Sequence, residues 1–430
     1  ASTTKGYDYI IVGAGSAGCI VANRLSKDPA CRVLLLEAGG SDRNFWIKLP
    51  VGYYRSIFDN RFSRLFKTEP GEGTGGRSIL WPRGRVLGGS SSINGLIFIR
   101  GQAQDYDHWA QLGNRGWSWP DALPVYKRME NYAGGSDDLR GRGGPLRITD
   151  SPRHKVPLLE KMIEAANKIG LPFNADLNGA TQEGIGMSQV TIAKGRRQST
   201  AYCYLDPARG RKNLTIEQGA MAESLILEGK RCVGVRYAVN GQKREARAAR
   251  EVIVSSGSIN SPKLLELSGI GQPAHLASVG ITCVHELKGV GENLRDHYSP
   301  RVRFAITGRN LTFNENARGW RGAREAIKYA LWGEGFLAST AVPIRLYFRT
   351  RPGLETPDAT ISIAPFLYER VGRERRIAKR SGITMNVNVL RSESTGSIHI
   401  KSADPAEPPA IRFNFLSTEH DRAGILAVIR

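Results

Sequence analysis

Three glycines and one acid near the N-terminus have the types and spacing of a dinucleotide-binding site. Gly13, Gly15 and Gly18 form the pattern G-x-G-x-x-G, and Glu37 follows after roughly the 20 residues expected of such a fingerprint. The first glycine permits a tight turn, the second lets the backbone approach a pyrophosphate, and the third lets a helix pack closely. A carboxylate at Glu37 would accept hydrogen bonds from ribose hydroxyls and repel a 2′-phosphate, which disfavours NADP. The motif predicts a dinucleotide without separating FAD from NAD.

The surrounding pattern predicts the elements that position these residues. Residues 9–12 form an apolar run of strand composition that stops at Gly13, and a second such strand, 33–36, ends at Glu37. A helical pattern lies between the strands, and its start would direct unpaired N–H groups and its positive dipole end at a phosphate. The predicted apolar face of this helix has four residues: Ala17, Ile20, Val21 and Leu25.

A second polar segment, residues 81–101, could also contact a cofactor. Gly88 and Gly89 precede three serines, and such a backbone can surround polar atoms with N–H groups. The following run, 93–99, is apolar except for Asn94 and Gly95. A buried asparagine beside a glycine could hydrogen-bond the edge of a ring, so we expect this segment to line the same site.

Composition limits the classes of protein that fit. The 430 residues are enough for two or three intertwined domains, and we find no apolar run near the roughly 18 residues that a membrane span needs. The N-terminus has no signal-peptide pattern. The five cysteines are scattered and form no C-x-x-C motif, so we interpret them as reduced residues of a cytoplasmic protein.

The net charge of +21 raises the question of a polyanionic partner. Basic clusters at 140–147, 209–212 and 373–380 could attract the protein to an anionic membrane surface, which would make it peripheral to the inner face of the membrane. Because no nucleic-acid module is present, we favour a solvated surface and expect no nucleic-acid partner. The charge also argues against a cationic substrate being drawn inward.

The remaining pattern predicts an α/β fold in which a Rossmann-like cofactor domain is interleaved with a second domain built on a mostly antiparallel sheet (α+β). Further strands are predicted at 214–216, 224–227, 232–237, 252–254, 360–364, 384–390, 397–400 and 411–415. In 384–390, Met385, Val387 and Val389 alternate with two asparagines. That alternation is typical of a half-exposed antiparallel strand.

Four motifs together resemble one family. They are the N-terminal fingerprint with Glu37, the stretch 84–94 (GRVLGGSSSIN), the stretch 257–271 (GSINSPKLLELSGIG) and the stretch 290–297 (VGENLRDH). The chain resembles the glucose–methanol–choline (GMC) oxidoreductases, FAD-dependent alcohol dehydrogenases and oxidases, in a choline or alcohol dehydrogenase-like form, from residue 7 to its end. The resemblance implies FAD rather than NAD.

The resemblance also implies roles for particular residues. The pyrophosphate would be held by Gly13, Gly15, Ser16, Ala17 and Gly18, and the ribose by Glu37 with Ala38 beside it. The flavin and its linker would be lined by Val86, Gly88, Gly89 and Ser90. The isoalloxazine would contact Asn94, Gly95, Leu96 and Ile97, and the adenine would contact the backbone of Ala222. Ile93 stands where some members attach FAD through a histidine, so non-covalent FAD is expected.

On this reading the domains alternate along the chain. We expect 1–42 to be the first part of the FAD-binding domain, 43–150 a flavin-loop and lid excursion, 151–200 the first part of the substrate domain, 201–299 the second part of the FAD-binding domain, and 300–430 the antiparallel substrate domain, truncated at its C-terminus.

The implied reaction is oxidation of an alcohol to an aldehyde or ketone by hydride transfer to flavin N5, with a histidine as base and an acceptor that is quinone-like or oxygen. None of the seven histidines stands in the family's His-Pro-x-Gly context. We therefore name no catalytic residue and expect the base beyond Arg430; no metal is expected. A dehydrogenase is favoured over an oxidase.

Three other interpretations stay open: an inactive FAD-binding fragment, a non-redox lyase of the same fold, and a polyanion-binding protein suggested by the charge alone. The substrate, the acceptor and the oligomeric state are not determined by the motifs.

Overall fold

The computed structural model describes residues 6–152, 158–308, 311–371 and 374–430. The helices in these ranges are α1 (Ser16–Leu25), α2 (Phe45–Lys48), α3 (Tyr53–Ser56), α4 (Ala103–Gln111), α5 (Trp119–Met129), α6 (Leu159–Lys168), α7 (Gly257–Leu267), α8 (Pro273–Ser278), α9 (Phe313–Asn316), α10 (Gly319–Trp332) and α11 (Glu419–Ile429). Shorter turns of helix are Pro50–Gly52, Glu72–Thr74, Gly89–Ser92, Ala201–Leu205, Asp206–Ala208 and Phe336–Ala338.

The strands of the first half are β1 (Tyr7–Val12), β2 (Val33–Glu37), β3 (Ser63–Lys67), β4 (Leu80–Gly84), β5 (Glu130–Tyr132), β6 (Leu146–Asp150), β7 (Gly184–Met187), β8 (Gln189–Val190), β9 (Ile192–Ala193), β10 (Arg196–Arg197) and β11 (Leu214–Gln218). Those of the second half are β12 (Ala220–Glu228), β13 (Arg231–Val239), β14 (Gln242–Val254), β15 (Ile270–Gly271), β16 (His285–Glu286), β17 (Arg301–Ala305), β18 (Ile344–Phe348), β19 (Ala359–Ala364), β20 (Tyr368–Val371), β21 (Glu374–Ile377), β22 (Gly382–Val389), β23 (Ser397–His399) and β24 (Ala410–Arg412).

A six-stranded sheet with the order β11-β2-β1-β14-β13-β12 positions the glycine-rich fingerprint. Strands β11, β2, β1 and the end of β14 run parallel, whereas β13 pairs antiparallel to β14 and β12 pairs antiparallel to β13. The apolar runs of β1 and β2 are buried on both faces, as parallel strands usually are. The strands predicted at 9–12, 33–36, 214–216, 224–227, 232–237 and 252–254 are all present.

Helix α1 turns a different face to this sheet than its apolar pattern predicts. Its buried residues are Gly18, Cys19, Ala22 and Asn23, whereas Ala17 is exposed. The helix lies so close to the strand that a Cβ on Gly18 would be 1.9 Å from the carbonyl oxygen of Gly13. Small side chains therefore face the strand, and the larger apolar ones are displaced to the sides of the helix.

The second sheet has the order β17-β22-β19-β18-β7, and every pairing in it is antiparallel. The predicted strands 360–364 and 384–390 appear as β19 and β22. The expectation that β22 is half-exposed is wrong, because β22 lies inside the sheet and α11 covers Val387 and Val389 with Ile425 and Val428. Asn388, on the other face, is buried as well.

The two halves of the chain meet beside α7. Hairpin β23–β24 supplies Ile398, Ile411 and Phe413 to a core cluster that also contains Phe66 and Ile259. The sequence pattern also predicts an amphipathic helix over 157–169, and α6 occupies most of that range; residue 157 lies outside the described residues. All five cysteines are free. In the described ranges we find no helix of the length and apolar character needed to cross a bilayer. The domain limits stay predictions.

Candidate cofactor site

A cavity of about 480 Å³ opens at the carboxyl ends of β1, β2 and β14. Gly13 and Gly15 form one wall, Glu37 closes the end of β2, and Ser255 to Gly257 continue from β14. In open α/β sheets, ligands bind outside the carboxyl ends of the strands, at the point where neighbouring strands connect to opposite faces of the sheet. The cavity therefore lies where the fingerprint predicts a dinucleotide.

The glycines are needed because backbone segments approach closely here. Gly13 has a φ of +101°, and a Cβ on it would lie 2.8 Å from the carbonyl oxygen of Ser255. Gly89 has a φ of +53°, and its Cβ would lie 2.7 Å from the Cα of Gly15. The N–H of Gly88 donates to the carbonyl oxygen of Ala14, with 2.8 Å between nitrogen and oxygen. The second polar segment thus packs directly on the glycine turn.

Glu37 is buried behind the N-terminus of α1. Its Oε2 accepts a hydrogen bond from the N–H of Ala14 at 2.9 Å, and its Oε1 accepts one from the N–H of Gly39 at 2.8 Å. Burial raises the pKa of this carboxyl to about 7, although the two N–H donors act in the opposite direction. Each oxygen keeps a lone pair that a ribose hydroxyl could use.

Four cations also line the cavity: Arg64, Arg83, Arg85 and Lys263. The Lys263 ammonium donates to the carbonyl oxygens of Pro405 and Glu407 at 2.7 and 2.6 Å. Burial, helped by the nearby Arg64, lowers its pKa to about 8. The positive charges of these four side chains complement a pyrophosphate. The sequence assigns none of these four to the site, although Arg85 and Lys263 lie within the motifs 84–94 and 257–271, because a motif does not show which of its side chains face the cavity.

Asn94, predicted as a buried side chain, is exposed. Its Oδ1 accepts hydrogen bonds from the N–H of Leu96 at 3.1 Å and from Nη1 of Arg197 at 2.8 Å. The side chain is therefore held by two donors at the surface of the site. The fixed orientation, rather than burial, suits it to meet the edge of a bound ring.

Arg197 is a buried cation that lies in none of the sequence motifs. It donates from Nε to the carbonyl oxygen of Ile47 at 3.0 Å and from Nη1 to that of Ser91 at 3.1 Å, in addition to Asn94. Its Nη2 is buried without a hydrogen-bond partner. Burial lowers its pKa to about 9. An unpaired donor on a buried guanidinium next to the Gly88–Asn94 segment favours a polar or anionic group nearby.

The predicted site residues separate into three groups. The cavity is lined by Gly13, Gly15, Ser16, Ala17, Glu37, Ala38, Gly89, Ser90 and Ala222. Gly18, Val86 and Gly88 are buried just behind it. Asn94, Gly95, Leu96 and Ile97 lie further along the same segment, outside the cavity lining.

Leu96 departs from the expected flavin contact in its side chain. The side chain is fully buried and packs with Val190, Ile192 and Ile97. Its backbone has a φ of +71°, a left-handed conformation that is uncommon for leucine and found most often at sites held by their surroundings. The neighbouring Gly95 carbonyl accepts a hydrogen bond from Thr340 at 3.0 Å. Backbone atoms are therefore the part of this segment that could meet a ring.

Of the histidines that lie in the described ranges, none lines the cavity; His154 is outside those ranges. His297 is exposed, and its Nε2 lies 3.1 Å from the carbonyl oxygen of Leu390. The expectation of a base beyond Arg430 stays a prediction.

The residues present fit an FAD. A helix N-terminus and the basic side chains suit the pyrophosphate, a buried carboxylate suits the ribose, and a Cβ at Gly13 or Gly89 would collide with the backbone that forms the cavity wall. A second loop packs on the glycine turn and leads onward to Asn94. The fold and the site together define a dinucleotide-binding protein of the Rossmann type.

Comparison with known proteins places the chain within this class. Residues 7–299 match the family described as GMC oxidoreductase. The chain is 40% identical to the mitochondrial choline dehydrogenase of Homo sapiens over 425 residues, 96% of this chain and 70% of that protein. It is 39% identical to the oxygen-dependent choline dehydrogenase of Photobacterium profundum, over 97% of this chain and 73% of that protein.

Solved structures agree with this placement. Pyridoxine 4-oxidase from Mesorbium loti superposes with a TM-score of 0.87 at 28% identity, over 99% of this chain and 79% of that one. A formate oxidase shares the fold with a TM-score of 0.90 at 24% identity, over 100% of this chain and 81% of that one. The chain belongs to the GMC oxidoreductase family, FAD-dependent enzymes that oxidise CH–OH groups. Membership confirms the predicted family, fold class, cofactor and reaction class.

Proposed function

We propose that this chain binds FAD without a covalent bond and oxidises a primary alcohol of the choline type to its aldehyde. The crevice carries the proposal, since the helix N-terminus, the buried Glu37 and four basic side chains meet at one cavity. When bound, FAD supplies the hydride acceptor. The chain binds and orients the cofactor, and Arg197 fixes the Asn94 amide through a 2.8 Å hydrogen bond.

Non-covalent binding is supported by the residue at the position of possible attachment. Ile93 is buried and packs with Ile47, Phe62 and Val86, so that position offers no nucleophile. We expect precipitation with acid to release all of the flavin into the supernatant. Flavin that stays with the denatured protein would contradict this part of the proposal.

A choline-type substrate is supported by the names of the relatives and by an aromatic group near Arg197. Tyr53 and Tyr54 have ring centroids 4.3 Å apart, and Phe366 lies 5.8 Å from Tyr54. Aromatic faces attract quaternary ammonium groups. Arg197 and Arg301 lie close enough to act electrostatically on the Tyr53 hydroxyl, and their positive charges would repel a cation. The net charge of +21 would have the same effect. The charge of the substrate is therefore the property to test.

The test compares choline with 3,3-dimethyl-1-butanol, which has the same shape and no charge. The purified flavoprotein is mixed with each alcohol without oxygen, and the flavin absorbance near 450 nm is followed. We expect choline to bleach the flavin at concentrations at least tenfold lower. Equal bleaching by the neutral alcohol would contradict a choline-type substrate, and no bleaching by either would contradict alcohol oxidation by this chain.

We propose an external acceptor, quinone-like rather than oxygen. The relatives include proteins named as a dehydrogenase and as an oxygen-dependent dehydrogenase, so both acceptors have to be measured. We expect an artificial quinone to be reduced during turnover and hydrogen peroxide to form much more slowly. Peroxide formed in equal amount with the aldehyde would contradict the proposal.

A peripheral association with anionic membranes is supported by helix α10. Trp320 and Leu331 are 69% and 66% exposed and share a face with Ile327, while Arg324 and Lys328 lie beside that stripe. Helices that lie in a membrane interface combine an exposed apolar face with basic residues. We propose that the protein is cytoplasmic and peripheral to the inner face of the membrane. The five free cysteines fit a reducing compartment.

Sedimentation with vesicles tests this association. We expect binding to vesicles that contain 30% phosphatidylserine and little binding to neutral vesicles, with release at high salt. Trp320→Ser together with Leu331→Ser should weaken binding, whereas a double substitution of exposed apolar residues elsewhere, Val284→Ser with Leu287→Ser, should not. Equal sedimentation of both variants with wild type would contradict a role for α10.

A further inference from the structure

Four side chains gather at the C-terminal end of α7, outside the lining of the cofactor crevice. Glu266 lies near the end of α7, His275 is in α8, Glu292 follows β16, and His399 ends β23. None of them lines the cavity, although Leu264 and Leu267 of the same helix do. The cluster is therefore separate from the site described above.

His399 lies between two carboxylates. Its Nδ1 is 2.6 Å from Oε1 of Glu266, and its Nε2 is 2.9 Å from Oε1 of Glu292. The second oxygen of Glu266 accepts a hydrogen bond from the N–H of Ile400 at 2.8 Å. Glu292 also accepts one from Gln272 at 2.7 Å. Each carboxylate is thus fixed by a second donor, and the His399 ring is held from both sides.

The number of protons on the His399 ring decides whether it can donate to both carboxylates. A neutral imidazole carries one N–H, so it can donate to one carboxylate only. The other nitrogen would then place a lone pair against a carboxylate oxygen. The contact is stable when both ring nitrogens of His399 carry a proton, or when a metal ion lies between one nitrogen and its carboxylate. Glu266 is 0% exposed, and in the described residues its ion pair is with His399.

His275 supplies another unused ligand atom. Its ring centroid is 4.8 Å from that of His399, and its Nε2 is buried without a hydrogen-bond partner. The ligand atoms of Glu266, His275 and His399 all lie within 4.8 Å of one another. In a tetrahedral site with bonds of about 2.0–2.1 Å, ligand atoms are roughly 3.3 Å apart, so small side-chain rotations would suffice.

We propose that Glu266, His275 and His399 bind a divalent transition-metal ion, with Zn²⁺ as the ion that best fits the donors. Two imidazoles and one carboxylate are a common protein set for zinc, and a fourth position stays open to water. Glu292 would hold the other nitrogen of His399, which is the usual place of an outer carboxylate. The ion would neutralise the buried Glu266 and join α7, α8 and β23 outside the crevice.

The experiment uses the untagged flavoprotein, treated with EDTA and dialysed into metal-free buffer. ZnCl₂ is titrated by calorimetry, and retained zinc is measured by mass spectrometry after gel filtration. We expect one zinc per chain. His275→Gln and His399→Gln should each weaken binding at least tenfold, and Glu292→Gln should weaken it by about 10-fold to 100-fold.

His285→Gln is the matched control, because His285 is exposed on β16 and lies outside the cluster. It should bind zinc as the wild type does. His275→Gln removes a nitrogen that has no partner, so its flavin content should be unchanged and loss of zinc would not reflect unfolding. The proposal is overturned if the wild type retains no more zinc than His275→Gln, or if His285→Gln loses as much. The His399 contact would then be held by a proton.

Discussion

At the scale of single residues, Glu37 is the predicted contact between the fingerprint and the ribose of the cofactor. Both of its oxygens already accept backbone hydrogen bonds, from Ala14 and Gly39, so the carboxylate is oriented before a ribose arrives. An amide at this position would replace one acceptor by a donor and leave one N–H without a partner. An amide would also offer the ribose one acceptor oxygen instead of two, and losing a hydrogen bond to a charged group costs about 1.5–3 kcal/mol, or roughly tenfold to a hundredfold in affinity.

We therefore predict that Glu37→Gln weakens FAD binding at least tenfold, measured by titrating FAD into the deflavinated protein. Glu251→Gln, an exposed acid on the neighbouring β14, is the control and should bind as the wild type does. Affinity in the Glu37→Gln variant equal to that of the control would show that the acid does not contact the ribose.

The raised pKa of Glu37 gives this site a pH dependence. The carboxyl of the cofactor-free protein loses its proton near pH 7, and hydroxyl donors favour the charged form. FAD affinity should therefore increase from pH 6 to pH 8 and level off above that. Titrations at the two pH values measure the effect, and Glu37→Gln should remove it. An affinity that falls as the pH increases would contradict this sign.

Gly89 tests the close approach of the two cofactor segments. Gly89→Ala places a Cβ 2.7 Å from the Cα of Gly15, at a φ of +53°. Gly75 has a similar φ of +62° and no atom within 4 Å of the added Cβ. Both substitutions carry a left-handed backbone cost of roughly 1–2 kcal/mol. We predict that only Gly89→Ala is purified with much less FAD, as measured by the ratio of absorbance at 450 and 280 nm. Equal flavin content in both variants would contradict the clash.

At the scale of elements, a buried ionic network joins loops that surround the second polar segment. Glu130, at the start of β5, is 0% exposed and accepts from Arg100 at 2.6 Å and from Arg140 at 2.9 Å. Arg140 also pairs with Asp176 at 2.7 Å. Removing one partner leaves buried charges without compensation, which is more costly than the pair is stabilising.

Glu130→Gln should lower the free energy of unfolding by about 3–5 kcal/mol, measured by urea denaturation. Glu228→Gln is a matched control because Glu228 pairs with Arg247 on the exposed surface of the sheet. Its effect should be within about 1 kcal/mol. If the two variants have the same free energy of unfolding, the buried network contributes no more to stability than the exposed pair does.

At the scale of the whole molecule, both halves of the sequence contribute to the crevice proposed for FAD. The cavity is lined by residues between Val12 and Pro405. A ligand that binds only the folded state stabilises it by about 2.7 kcal/mol at 100 times its Kd. We predict that deflavination lowers the Tm and that added FAD restores it with a dependence on concentration. Riboflavin, which lacks the pyrophosphate and adenosine, should raise the Tm much less. An equal increase would show that contacts of the crevice with the pyrophosphate and adenosine contribute little to binding.

The sequence alone determined the cofactor end of this protein. The fingerprint, its two strands and Glu37 are contiguous within 40 residues, and local spacing decides their geometry because the chain has little freedom between them. The family motifs added FAD and the reaction class. The antiparallel second sheet was also predictable, since strand composition and alternation are local properties.

Only the tertiary structure decided the features that depend on which distant segments meet. The inner face of α1 follows from its contact with Gly13, and the burial of β22 follows from α11, which lies about 30 residues later. The cations of the crevice, the hydrogen bond from Arg197 to Asn94, and the Glu266–His275–His399 cluster each combine residues from separate elements. A single arginine, histidine or glutamate has no periodicity, so its role depends on the neighbours that folding supplies.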